Sequence, residues 1–148
     1  MFNRILLATD GSEGALKAAR AAAEIAGRFG SSVTLLSVGQ IPVINLFNYY
    51  PSMIEPEVLP ENIEKRIIEH AQTALRETSK VFEEAQIPFD TRFELGHPAD
   101  TICEISGTGK YDLIIMGSRG LSGLKGLLIG SVSTRVIHQC HCPILLIK

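Results

Sequence analysis

A chain of 148 residues with a net charge of −2 has the length of one domain and no broad basic face for nucleic acid. At this length roughly 70% of the unfolded surface is buried on folding, so neither a disulfide nor a metal staple is required. No apolar run is long enough to span a membrane, Met1-Phe2-Asn3-Arg4-Ile5 does not read as a secretory leader, and three cysteines is an odd count; a cytoplasmic protein with reduced thiols is expected.

Arg4 to Thr9 reads as a strand whose continuous Ile-Leu-Leu-Ala centre predicts burial on both faces, hence a parallel sheet covered by helices. Asp10 follows, and Asp10-x-x-Glu13 is a possible capping arrangement for a helix over Glu13 to Phe29. That helix is alanine-rich, which lets it lie close to the sheet, and Gly30 suits its C-cap. Ser32 to Val38 is a second strand. Residues 40 to 59 carry prolines and aromatics without periodicity. A stretch this long reads as a surface excursion, or else a flap or partner-binding patch.

Pro60 to Gln86 is the clearest helix, with Ile63, Ile67, Ala71, Leu75, Thr78, Phe82 and Ala85 at helical spacing and mixed charges mostly elsewhere. Pro88 to Leu95 alternates, with Phe89, Thr91, Phe93 and Leu95 on one face. Gly96-His97-Pro98 turns into a helix through about Ser106, stopped by Gly107 and Gly109. Tyr111 to Met116 is a buried strand, Ser131 to Gln139 a short helix, and Pro143 to Ile147 the last strand. Alternating strands and helices predict a doubly wound α/β fold, a five-stranded parallel sheet of order 3-2-1-4-5 with helices on both faces. In that order the ends of the first and fourth strands are neighbours, and ligands bind at such a switch point.

The stretch from Gly117 to Ser133 is therefore the centre of the functional reading. A glycine-rich loop joins a strand to a helix start, where glycines admit close approach and unpaired N–H groups favour an anion. The hydroxyls of Ser131 and Ser133 add donors, and the natural anion is a phosphate. No Gly-Lys-Ser/Thr closes a Walker loop, and the first turn, Asp10 to Gly14, is not the dinucleotide fingerprint. Taken alone, Gly117, Gly120 and Gly130 are also consistent with simple turns, and Val38 and Met116 with core packing.

The spacing Gly117, two residues, Gly120, nine residues, Gly130-Ser131 resembles the ATP-binding branch of the universal stress protein family. So do Leu6-Leu7-Ala8-Thr9-Asp10-Gly11-Ser12, Gly96-His97-Pro98-Ala99-Asp100 and the Cys142-Pro143-Ile144-Leu145-Leu146-Ile147 end, and the resemblance covers the whole chain. It implies that Asp10, Thr9, Ala8 and Val38 hold the adenosine and that Met116 touches its edge. Gly117, Arg119, Gly120, Gly130, Ser131, Val132 and Ser133 would hold phosphates and ribose. Arg119 matches a family position; Lys125, in the variable part of the loop, carries less weight. The implied ligand is ATP, with Mg2+ or Mn2+ held by the phosphates, and Leu121 to Ile129 would close over it as a lid. The implied role is a sensor or switch.

His138-Gln139-Cys140-His141-Cys142 invites a zinc site, but a second ligand pair is needed and only Cys103 and His97 remain. Cys142 reads instead as a small buried residue. His97 and Asp100 read as polar residues at a helix start, and no hydrolase motif is present. No catalytic residue is assigned. The alternatives are a slow ATPase or phosphotransferase, which needs a group to orient water at the γ-phosphate, and a nucleotide-free dimeric interaction protein. An apolar last strand at a sheet edge calls for cover, and two-fold pairing in a homodimer, similar to the family's, would supply it. No membrane or nucleic-acid partner is expected.

Overall fold

The apolar runs become the inner strands of a sheet buried on both faces. The computed structural model describes residues 2–40, 61–121 and 129–148. Its elements are β1 (Arg4–Ala8), α1 (Glu13–Phe29), β2 (Ser32–Gln40), α2 (Glu61–Glu84), β3 (Phe89–Gly96), α3 (Pro98–Thr108), β4 (Leu113–Gly117), α4 (Ser131–Gln139) and β5 (Ile144–Ile147). The sheet is parallel throughout and its order is β3-β2-β1-β4-β5, as the alternation predicts. Most of the 40–59 segment, Lys125 and the body of the expected lid lie outside the described residues.

Side chains of a strand alternate between faces, and β1 shows how that builds two cores. Ile5 and Leu7 pack with the alanine stripe of α1 and with Leu75 and Phe82 of α2. Leu6 and Ala8 pack with Ile102 and Ile105 of α3 and Val136 of α4. The alanines of α1 at 18, 19 and 22 are fully buried, so the helix axis sits close to the strands. Gly30 closes α1 at φ 68°, donating its N–H to the Ala26 carbonyl at 2.8 Å. Burial of these small and branched side chains is the main favourable term holding the layers together. The outer strand β3 keeps Phe89 and Phe93 on the core but leaves Thr91 and Leu95 exposed.

Three expectations need correction. Asp10 does not cap α1: the N-cap is Ser12, whose Oγ accepts the Ala15 N–H at 3.2 Å. Helix α3 runs through Gly107 to Thr108 with Gly109 as its C-cap, since a glycine inside a helix weakens it by about 1 kcal/mol relative to alanine but does not by itself end it. The thiols are not all reduced. Cys103 of α3 and Cys140 at the C-cap of α4 form a disulfide, while Cys142 is a thiol. Sequence separation hid this pair; the packing of α3 beside α4 on one sheet face creates it.

Candidate functional site

Strands β1 and β4 pair with Ala8 beside Met116. The chain therefore leaves both strands at the same sheet edge, with Thr9-Asp10 next to Gly117-Ser118. From there α1 passes to one face and α4 to the other. A crevice must open between them.

Asp10 organises this edge. Its Oδ1 accepts the Ser12 N–H and its Oδ2 accepts the Leu121 N–H, each at 3.0 Å. The first bond shapes the turn into α1, and the second fastens the start of the glycine loop to the end of β1. Gly120 is a glycine for this reason: a Cβ there would stand 2.6 Å from Asp10 Oδ2. Gly117 also has a packing reason, since a Cβ would stand 2.8 Å from the carbonyl carbon of Gly14 and 3.0 Å from the Ala15 nitrogen. The beginning of α1 rests on the end of β4 at backbone distance.

The far end of the loop closes back. Gly130 donates its N–H to the Ser118 carbonyl at 2.7 Å and is the N-cap of α4. It has no side chain with which to cap, so the N–H groups of Ser131, Val132 and Ser133 lack intrahelical acceptors. Ser131 is exposed, whereas Ser133 is buried and its Oγ donates to the Gly117 carbonyl at 3.0 Å. The Ser133 hydroxyl thus braces the loop base instead of standing free as a donor.

Thr9 is similarly occupied. Its N–H donates to the Leu36 carbonyl at 2.9 Å, and its Oγ1 accepts the Gly11 N–H at 3.2 Å. Thr78 of α2 donates its hydroxyl to the Ala74 carbonyl, so Thr9 donates to Thr78 across 2.8 Å. This buried chain ties the end of β1 to α2.

The crevice is a cleft of about 880 Å³, within the range of small-molecule sites. It gathers all twelve candidate residues: Ala8, Thr9, Asp10, Val38, Met116, Gly117, Arg119, Gly120, Gly130, Ser131, Val132 and Ser133. Its deep wall is apolar, with Leu36, Val38, Ile102 and Met116, and its loop side carries Arg119. The sequence reading missed one wall. Ile63, Arg66, Ile67, His70 and Thr73 of α2 also line the cleft. Their helical spacing was legible, but only the fold shows that this part of α2 runs beside the strand ends.

In the Cys-His run near the end, Cys140 is bonded to Cys103, and among the described residues no three His, Cys, Asp or Glu side chains gather. Asp100 pairs with Arg135 at 3.3 Å, binding α3 to α4. Cys142 is half-buried and its thiol donates to the Tyr111 carbonyl. Burial, and next the Asp112 charge, raise its pKa above the ordinary thiol value.

The universal stress protein family profile matches residues 1–148. The universal stress protein MJ0531 of Methanocaldococcus jannaschii is 36% identical over 149 residues, covering 100% of this chain and 83% of that protein. The solved structure of MJ0577 from the same organism superposes with a TM-score of 0.81 at 27% identity, covering 100% of this chain and 96% of that one. A universal stress protein of Archaeoglobus fulgidus, solved in complex with dAMP, gives a TM-score of 0.70 at 19% identity, with 100% and 98% covered.

Proposed function

Since the chain belongs to the universal stress protein family, we propose that its cleft binds an adenine nucleotide, ATP in preference, as the sensing step of a stress-response or signalling module. The 148 residues act as one nucleotide-binding domain in the cytoplasm. The observation that carries this reading is the meeting of two features in one crevice. An uncapped helix start lies behind a glycine loop, and an apolar wall stands beside it. The first suits phosphates and the second suits a purine. The dAMP complex of the Archaeoglobus fulgidus protein is consistent with this, but that likeness carries the fold, and the chemistry rests on this chain's residues.

In this reading Ser131, Val132 and Ser133 offer backbone N–H groups to the phosphates, and Arg119 adds a positive charge. Asp10, through Leu121, holds the loop in place for them. Val38, Ala8, Thr9 and Met116 border the adenosine. The cleft suits a divalent cation only as a companion of the phosphates. Among the described residues no three His, Cys, Asp or Glu side chains converge to hold one alone. Mg2+ or Mn2+ would arrive with ATP and lower its charge.

Ser131→Glu tests the reading directly. A carboxylate at the first position of α4 suits the helix dipole, so folding is kept, but it repels a triphosphate. Titration calorimetry should show ATP binding to the native chain and at least about tenfold weaker binding to the variant, a loss of about 1.4 kcal/mol. Equal affinity in both would remove the phosphates from α4. Absence of ATP binding by the native chain would remove the nucleotide altogether.

A further inference from the structure

Two walls of the cleft are fastened to each other away from it. Ile102 lines the cleft, and Cys103 follows it on α3. Ser131 to Ser133 line the cleft, and the same helix ends at Cys140. The Cys103–Cys140 disulfide joins these two helices across a sequence separation of 37. Helix α4 has only nine residues, too few to hold a helical shape on its own. Besides the disulfide, Val132 and Val136 pack in one cluster with Ala99, Ile102 and Ile105 of α3, and Arg135 pairs with Asp100 at the surface, where a pair contributes little. The Ser133 and Gly130 bonds hold the first turn to the end of β4.

We propose that Cys103 and Cys140 are a reversible redox site, closed by a small-molecule disulfide such as oxidised glutathione and reopened by a small thiol, whose closure orders the first turn of α4 at the cleft. Both cysteines are half-buried, so a small reagent has access to them. In closure, the thiolate of one cysteine attacks the reagent's S–S bond and expels one thiol, leaving a mixed disulfide. The other cysteine, deprotonated to solvent, attacks that mixed disulfide and expels the second thiol. The protein loses two electrons and two protons, and the reagent gains them as two thiols. Cys142 stands two residues from Cys140 but does not compete. Its thiol donates to the Tyr111 carbonyl, and burial, which raises its pKa, lowers its share of reactive thiolate.

The proposal goes beyond nucleotide binding, and its test uses no nucleotide. The full chain is equilibrated in glutathione buffers of increasing oxidation, alkylated, and analysed by peptide mass spectrometry. Three alkylated thiols should give way to one, at Cys142, with a Cys103–Cys140 cross-linked peptide; Cys142→Ser should still close the bridge. Closure should raise Tm by roughly 5–15 °C and slow amide hydrogen exchange about tenfold or more at Thr134, whose N–H is bonded to the Gly130 carbonyl in the first turn of α4. Failure to form the bridge at any buffer ratio, or a bridge through Cys142 in the native chain, overturns the pairing. A bridge that forms while α4 exchange stays the same overturns the link to the cleft. Failure of ATP to bind leaves each of these outcomes readable.

Discussion

The Leu121 amide donates to Asp10 Oδ2 across 3.0 Å although the two are 111 positions apart in sequence. This one bond makes the end of β1 the mooring of the glycine loop. Gly120, adjacent to the donor, leaves the space that the carboxylate occupies. Asp10→Ala should therefore weaken ATP binding at least about tenfold, because hydrogen bonds to a charged acceptor contribute roughly 1.5–3 kcal/mol each. Gly120→Ala should have a similar effect by pushing Asp10 aside. If both act through the same contact, the double variant is little worse than either single one. Calorimetric affinities that simply add would show that the two residues work separately.

The Thr9–Thr78 bond predicts a stability effect outside the loop. Thr78 is fully buried, and its hydroxyl links Thr9 to the Ala74 carbonyl. Thr78→Val keeps the shape but leaves the Thr9 hydroxyl without that acceptor. The cost should be about 1–3 kcal/mol, visible as a lower urea midpoint with unchanged m-value. Thr78→Ser, which keeps the hydroxyl, should recover much of it. Equal losses in Val and Ser variants would assign the effect to packing alone.

The architecture was legible because its signals are local. Continuous apolar strands, an alanine stripe and regular turns dictate a two-sided parallel sheet, and its order follows from connection rules. The candidate residues came as a set from the likeness to the universal stress protein family, and the fold brings them to one cleft. What each does locally was not legible. Gly117 and Gly120 stood out as glycines of a ligand loop, yet their missing side chains make room for α1 and for Asp10. Ser133 looked like a free donor and is bound to Gly117. The α2 wall and the Cys103–Cys140 bridge depend on which elements pack side by side. Periodicity within one segment carries no record of that.

Asp112 gives a pH-dependent prediction. Burial pushes its pKa upward, but the Asn3 and Arg4 amides, at 2.8 and 3.0 Å, together with the N-terminal charge, outweigh that and lower it below the ordinary carboxylate value. A depressed folded-state pKa contributes stability that is present above the unfolded pKa, about 3.9, and is lost as pH falls through the folded value. Asp112→Asn should thus be less stable than the native chain at pH 7, with the gap narrowing toward pH 3. Urea melts at several pH values check this. A gap independent of pH would mean that the charge contributes nothing.

The edge of the sheet yields a prediction about assembly. Strand β5 pairs only with β4 among the described strands, and Ile144, Leu145, Leu146 and Ile147 all stay partly exposed. An open apolar edge templates pairing with another chain, and a two-fold axis beside β5 would satisfy both copies with one contact. We therefore propose a homodimer through β5. The backbone carbonyls of Pro143 and Ile147 face β4, so the Leu146 N–H between them faces the open edge, and replacing Leu146 with proline removes an edge donor and should disfavour pairing there. Sedimentation velocity at micromolar concentration should give a dimer for the native chain and mainly monomer for Leu146→Pro. That variant also disturbs β5 within its own sheet, so Ile147→Lys, a charge on the same strand with the backbone intact, serves as the companion. A native chain that sediments as a monomer, or dimers retained in both variants, would place the contact elsewhere or remove it.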